Sequence, residues 1–343
     1  MLPNKNLKWE ESTQTDVGLD FGFFNNALTF SVDYYKKRTT GMLMNMQVPA
    51  YVGESVPVGN VGKMDNSGVE MEANYRHNFG DFTFNIGGNL TYLKNKLIDY
   101  GNEQGWANLD SFQGTGSISR AENGQPFPFF YGYKTAGILQ NQAEADAYNE
   151  EFGDTAVPGD VRFVDVNGDG SITEDDRTKI GKGMPDWTYG FNIGLQWKGI
   201  ALNAMFQGTW GNDIFDATRR TDALASNLPS WMLGRWTGEG TSNRIPRFVR
   251  GDSRNWQSSD LLVYDGDYLR LKNIVLSYTL PTDLTRRVSV QNFRVYVSAE
   301  NLFTCTKYHG FDPEISSGGT SLGIDYGVYP QPRIWTVGFN IQF

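Results

Sequence analysis

Large apolar residues recur at every second position in separated stretches along this chain. That spacing gives a β-strand one apolar and one polar face. The last stretch is the plainest: Trp335, Val337, Phe339, Ile341 and Phe343 alternate with Thr336, Gly338, Asn340 and Gln342. About eleven such segments are expected, at 15–23, 27–36, 69–79, 82–97, 117–122, 129–139, 187–197, 200–210, 268–280, 293–301 and the C-terminal stretch. In 187–197 the alternation of Trp187, Tyr189, Phe191, Ile193, Leu195 and Trp197 is unbroken. In 268–280 the apolar phase slips between Leu271 and Ile274, as at a β-bulge.

The connections alternate between short and long. Short ones fall near 24–26, 80–81, 123–128, 198–199 and 281–292, and long ones near 38–67, 98–116, 140–186, 211–267 and 302–332. In an up-and-down meander every short turn then lies at one end and every long loop at the other. Outer-membrane barrels show this asymmetry, with short periplasmic turns and long extracellular loops. Greek-key sandwiches give no reason for it. Trp187 and Trp197 bracket a span of roughly 23 Å at ~45° tilt, close to the ~25 Å apolar band of a barrel. The expected fold is all-β, an antiparallel up-and-down transmembrane barrel portion whose apolar face meets outer-membrane lipid.

Composition agrees with a membrane that strands cross. Of 343 residues, 14% are aromatic and 39 are glycine, yet mean hydropathy is -0.46. No apolar run is long enough for a transmembrane helix. A net charge of -9 without a basic stripe argues against nucleic acid. Cys305 is the single cysteine and is expected to pack as a small apolar residue. His77 and His309, the two histidines, are expected at the surface and leave little for a zinc site or a catalytic triad. Carboxylates are plentiful, but no spacing singles out a catalytic pair, so no enzyme is expected.

An odd strand count does not close a simple bacterial barrel, and residues 1–9 lack the apolar stretch of a signal peptide. Both point to part of a larger protein. The residues also resemble a family. Asn6-Leu-Lys-Trp-Glu10, Phe30-Ser-Val-Asp-Tyr-Tyr35, Asn60-Val-Gly-Lys-Met64 and Asn66-Ser-Gly-Val-Glu70 come first. Gly124-Gln-Pro126, Phe130-Tyr-Gly-Tyr133, Gly159-Asp-Val-Arg162 and Pro185-Asp-Trp-Thr-Tyr-Gly190 follow. Phe206-Gln-Gly208, Gly211-Asn-Asp-Ile214, Leu269-Arg-Leu-Lys-Asn-Ile274, Ser298-Ala-Glu-Asn-Leu-Phe303, 308–313 and 326–333 complete the order. Together they resemble the SusC/RagA-like TonB-dependent outer-membrane transporters of Bacteroidota along essentially the whole chain. That resemblance implies the last eleven strands of a 22-stranded barrel, 1–343, without its N-terminal plug. It implies import of oligosaccharides or peptides, a SusD-like lipoprotein partner, and energy from TonB–ExbB–ExbD through the missing N-terminal region. Half a barrel with open edges is not expected to transport alone. The alternatives are a non-transporting outer-membrane barrel and a soluble calcium- or glycan-binding β-protein.

The sharpest local motif is 165–176. It sets Asp165, Asn167 and Asp169 at calcium-loop positions 1, 3 and 5, Gly170 at 6, the Ser171 carbonyl at 7 and Asp176 at 12. Asp in place of Glu at position 12 resembles dockerin-type loops. A structural Ca2+ is expected, against the alternative of a polar turn without an ion. Trp106, Trp231, Trp236, Trp256 and Tyr308 lie in long loops as candidate contacts for ligand or partner, or for packing among the loops themselves. Arg219, Arg220, Arg244, Arg247, Arg250 and Arg254 form a basic cluster expected on a solvated or lipopolysaccharide-facing surface.

Overall fold

The computed structural model describes the chain except residues 1–3, 6, 46–57, 113–114, 219–229, 250, 252 and 316. Among the described residues, one antiparallel sheet contains nine long strands. They are β1 (Glu11–Phe23), β2 (Leu28–Asn45), β3 (Val58–Phe79), β4 (Phe82–Asp99), β5 (Trp187–Trp197), β6 (Ile200–Trp210), β7 (Tyr268–Thr279), β8 (Asn292–Thr306) and β9 (Ile334–Gln342). They follow chain order across the sheet, which is open between β1 and β9.

The tight turns follow from residues that tolerate positive φ. Asn25 and Asn26 sit at φ 55 and 64, Gly80 at 61, and Lys198-Gly199 at 45 and 88. The phase slip in β7 is a bulge. Register shifts between Leu271 and Asn273 against β8, and between Met205 and Phe206 against β6.

Two expected strands belong elsewhere. Ser119–Glu122 and Phe129–Gly132 do pair through a short turn, but in a four-stranded sheet with Trp106–Asn108 and Thr178–Gly181, outside the main sheet. At four residues each they span ~13 Å, too little to cross an apolar band of ~25 Å. The main sheet thus has nine strands where eleven were expected. Since the loss is a hairpin, every remaining turn keeps its side: 100–186 becomes one long connection on the loop end. Conversely, β3 has 22 residues, reaching well past any membrane, because its polar first half needs no alternation outside lipid.

Register aligns the apolar face across strands. Val17, Tyr34, Val69, Tyr92, Trp187 and Trp210 form one row toward the long loops. Phe82, Trp197, Ile200, Tyr278, Val295 and Phe339 form another toward the short turns. Leu195, Leu202, Leu276, Val297 and Val337 lie just inside the latter. Among the described residues this face has no second layer over it: Val337 is 81% exposed, Phe339 67% and Leu276 53%. Cys305, expected to pack, is exposed on this same face, opposite Leu269. The polar face carries Asp16, Asp20, Asp33, Glu70 and Glu72 on β1–β3, then Asn85, Asn89, Asn192 and Asn203 interleaved with Gly87, Gly190 and Gly194 on β4–β6.

The buried cores lie in the long connections. The largest joins Phe112, Ile118, Phe130, Phe215, Met232, Trp256, Leu262 and Ile324. A second ties the outer ends of β2 and β4, through Met44 and Leu97, to Ala107 and Ala121. A three-stranded sheet (Val263–Asp265, Asp213–Asp216, Ile324–Asp325), a two-stranded one (Thr135–Ile138, Val161–Phe163) and helix α1 (Gln142–Phe152) complete this loop assembly. Helix α1 starts on Asn141, whose side chain accepts from the Glu144 amide at 3.0 Å, and stops at Gly153 with φ 66.

An arginine on the exposed apolar face is expected to be far worse than one beside it on the polar face. Val337→Arg, one row inside the short-turn girdle, should cost ~1–3 kcal/mol, between the interface and midplane values, and Thr336→Arg little. Urea unfolding in lipid vesicles checks this; equal costs would contradict a lipid-facing Val337.

Candidate functional site

Chemistry-bearing residues gather in the loop assembly. The Asp-rich turn is built from its own amides. Asp165 Oδ1 and Oδ2 accept from the amides of Gly168 at 2.6 Å and Gly170 at 2.9 Å. Asn167 Oδ1 accepts from the Asp169 amide, and Asp169 Oδ1 from that of Ser171, both at 2.9 Å. The Gly170 amide, foremost, holds the Asp165 carboxyl below its usual range. Asp176 is fully buried. Its oxygens accept from Val166 at 2.9 Å and Thr173 at 2.7 Å, closing a capping box with Thr173 on the short helix Glu174–Asp176.

Gly168 and Gly170 have φ 76 and 81, which a side chain at the sixth position would strain. Ile172, at position 8, packs on two loop cores. The five oxygen donors are of the type calcium takes and share one turn. Among the described residues, however, no three acidic, His or Cys side chains converge as a metal-holding group. The fit is therefore in donor type and order: Asp165 and Asp176 both have their two oxygens on amides, and Asp176, fully buried as well, fits least.

The candidate aromatics are largely engaged in packing. Trp256 and Tyr308, expected as ligand or partner contacts or as packing among the loops, are only 6% and 5% exposed; Trp256 sits in the largest core, and Tyr308 Oη donates to Asp325 at 2.6 Å. Trp106, Trp231 and Trp236 are half-buried. The Arg120 guanidinium lies between Trp106 at 4.1 Å and Tyr131 at 3.5 Å. Trp231 meets His309 edge-on at 5.8 Å. Trp236 covers Gly159, where a Cβ would lie 2.4 Å from the ring. His309 is engaged as well: Tyr264 is 4.3 Å from its ring, and Nε2 is 3.3 Å from Asp216.

The basic cluster turns partly inward. Arg247 Nε meets Asp160 at 2.5 Å, and Arg254 meets Asp154 at 2.6 Å. Arg244 stacks over Tyr264 at 4.9 Å. Arg219, Arg220 and Arg250 lie outside the described residues. Asp160 is 2% exposed. Its burial alone raises the carboxyl, but Arg247, Asn255 and the Val157 amide outweigh that and hold it low.

One ionic clamp, not foreseen, joins the loops to the wall. Arg270 on β7 is 2% exposed and faces the polar side with Gln207 and Thr304. It donates through Nη2 to Asp312, through Nη1 to Glu314 at 2.7 Å and through Nε to Thr304 at 2.9 Å. Asp312 also accepts from the Gln331 amide at 2.9 Å, stitching both limbs of the last loop together. From that anchored loop Phe311 and Tyr329 project, 76% and 86% exposed. The available signal was local: each is a lone aromatic beside glycine or proline, Gly310-Phe311 and Tyr329-Pro330.

Comparison with known proteins adds an independent line. The sequence profile of the family described as TonB dependent receptor-like, beta-barrel, matches residues 1–302. TonB-dependent receptor P3 of Formosa agariphila is 35% identical over 99% of this chain and 35% of its own length. TonB-dependent receptor SusC of Bacteroides thetaiotaomicron is 27% identical over 99% of this chain and 32% of its own. A solved structure titled as that of the RagAB peptide transporter superposes with TM-score 0.79 at 28% identity, covering all of this chain and 36% of that one. The chain thus spans about a third of the length of these relatives.

Arg270→Ala strands the buried Asp312 carboxylate and is expected to cost roughly 3–5 kcal/mol. Hydrogen exchange should then rise sharply at 312–331, and Arg270→Lys should restore only part of the protection. Burial raises the Asp312 carboxyl, but the Gln331 and Glu314 amides and Arg270 bring it below its usual value. A depressed carboxyl contributes stability that is complete above its unfolded pKa, ~3.9, and lost as pH falls through the folded value. Protection factors at 312–331, which remove the intrinsic pH dependence of amide exchange, should therefore hold steady from pH 7 to ~4 and fall only below that.

Proposed function

Because the chain belongs to the TonB-dependent receptor β-barrel family, we propose that it forms wall and outer loops of an outer-membrane importer taking up oligosaccharides or peptides. The observation that carries this is the sheet itself. Its apolar face is exposed, its other face is polar, and its packed cores all lie on the long-loop side. In lipid the exposed face is satisfied and the polar face lines an aqueous lumen. A furrow of about 390 Å³ on the outward face, lined by Ile200, Leu276, Tyr278, Val295, Val297 and Val337, suits acyl chains. Likeness to the RagAB peptide transporter favours peptides within that pair of substrate classes.

In this proposal the chain performs no chemistry on its solute. A SusD-like lipoprotein covers the loop assembly, where the half-buried rings of Trp106, Trp231 and Trp236 offer edges to partner or ligand. Trp256 and Tyr308 shape the loops beneath. TonB–ExbB–ExbD acts through parts of the polypeptide outside these residues. In the intact receptor, wild-type protein is expected in the outer-membrane fraction, and uptake of a labelled oligopeptide or oligosaccharide pool should stop when its gene is deleted. Recovery in the soluble fraction contradicts the proposal, and unchanged uptake of both pools removes the import role.

We propose also that Asp165, Asn167, Asp169, the Ser171 carbonyl and Asp176 hold a structural Ca2+ that clips the turn. Its support is the order of oxygen donors around the two glycines. A site of this exposure is expected to bind at about 10⁻⁴–10⁻³ M, as in extracellular modules. Calcium titration of the intact receptor by calorimetry should show this heat and lose it in Asp169→Ala. No calcium-dependent heat in the wild type would falsify the site.

A further inference from the structure

Near the short turns, the polar face holds a group that neither the fold nor the loop assembly explains. Register sets Arg76, Asn85, Gly194 and Asn203 in one row across β3–β6. Two residues nearer the turns, Thr83, Gln196 and Ala201 form the next. Together they border a recess of about 230 Å³. Its floor is Gly194: a Cβ there would lie 1.8 Å from Asn85 Oδ1 and 3.1 Å from Asn203 Oδ1. Glycine lets the two carboxamides lean in from either side, and any side chain at 194 would push them out.

The recess is lined with carboxamides and has one charge. Arg76 is exposed and, among the described residues, takes part in no ion pair, while Asp81 of the adjoining turn is met by Lys198 at 3.7 Å. Thr83 donates its hydroxyl to Asn78 at 2.9 Å, leaving the Asn85, Gln196 and Asn203 amide groups beside the guanidinium. The nearest carboxylate along β3 on this face is Glu72. Four residues away, at ~3.3 Å per residue, it stands ~13 Å off, beyond the ~10 Å screening length at 0.1 M salt. An anion in the recess feels Arg76 first.

We propose that this recess binds a carboxylate, gripped by the Arg76 guanidinium and by N–H groups of Asn85, Gln196 and Asn203, the two asparagine carboxamides turning about from the orientation that lays their oxygens over Gly194. The carboxylate comes either from an acidic side chain elsewhere in the polypeptide, of which this chain is about a third of its relatives' length, or from a solute. This deepens the importer proposal by giving its inner wall a charge preference. It rests on that proposal for the face being a lumen.

The test uses the intact receptor in detergent, with the photo-cross-linking residue p-benzoylphenylalanine in place of Ala201. An acidic partner in the polypeptide gives one dominant intrachain cross-link, reduced about tenfold or more in Arg76→Gln and largely kept in Arg76→Lys. A solute source gives no such cross-link; saturation-transfer NMR then detects succinate binding that weakens by the same factor in Arg76→Gln. If cross-links ignore residue 76 and succinate binding is absent or unchanged in the variant, the assignment is wrong. Arg76 is exposed, so Arg76→Gln is expected to fold, which its heat-modifiable migration on gels verifies. A wild-type receptor found in the soluble fraction defeats the importer proposal. A membrane-inserted receptor with no Arg76-dependent binding defeats only this one.

Discussion

A backbone crossing hydrocarbon finds no water for its amides and carbonyls, so each must bond to a neighbouring strand. That constraint explains the sheet's order. Each strand lies beside its sequence neighbour, three hairpins reverse within a few residues on one side with the helical connection 280–291 beside them, and the long irregular segments lie on the other. It also explains why burial, the usual signature of a folded core, is missing from the strands' apolar face. The solvent for that face is lipid, and apolar surface turned toward acyl chains needs no second layer.

The loop assembly obeys the ordinary rules of a water-soluble domain. Its small sheets are covered by side chains from several loops, and its carboxylates are met by arginines or amides. The two regimes join at Met44, Leu97 and their neighbours, and again where Arg270 holds Asp312 and Glu314. A charge pair of this burial offsets a large desolvation cost only when the remaining hydrogen bonds are also made. Here Thr304 and the Gln331 amide complete them. The last loop is consequently fixed to the wall, and its exposed rings stand on a rigid base.

The strands were legible because period-two patterning is local; β5 and β6 have the limits their alternation gives, and the bulge in β7 appears where the phase slips. The hairpin at 119–132 was misplaced because periodicity does not report length across lipid: Phe129–Gly132 is apolar enough to read as a membrane strand, although its partner Ser119–Glu122 carries Arg120 and Glu122. Of the chemistry, the Asp-rich turn was visible since its donors are contiguous. The Arg270 clamp was not, because its carboxylate partners are more than forty residues away and nothing in either segment marks the other. Trp256 and Tyr308 left two readings open for a related reason: whether a loop aromatic surrounded by polar residues is exposed or packed depends on distant loops that close over it.

The bulge has a further role. Leu269 and Leu271 face outward, and so do Ile274, Leu276 and Tyr278, although the two sets differ in parity. The extra residue near Lys272 reconciles them, and by doing so it keeps the Arg270 guanidinium turned to the aqueous side. Chain length at this point therefore matters more than residue identity. Removing a single residue would invert the upper part of the strand, drive a permanent positive charge among acyl chains and cut the last loop from its mooring in one step.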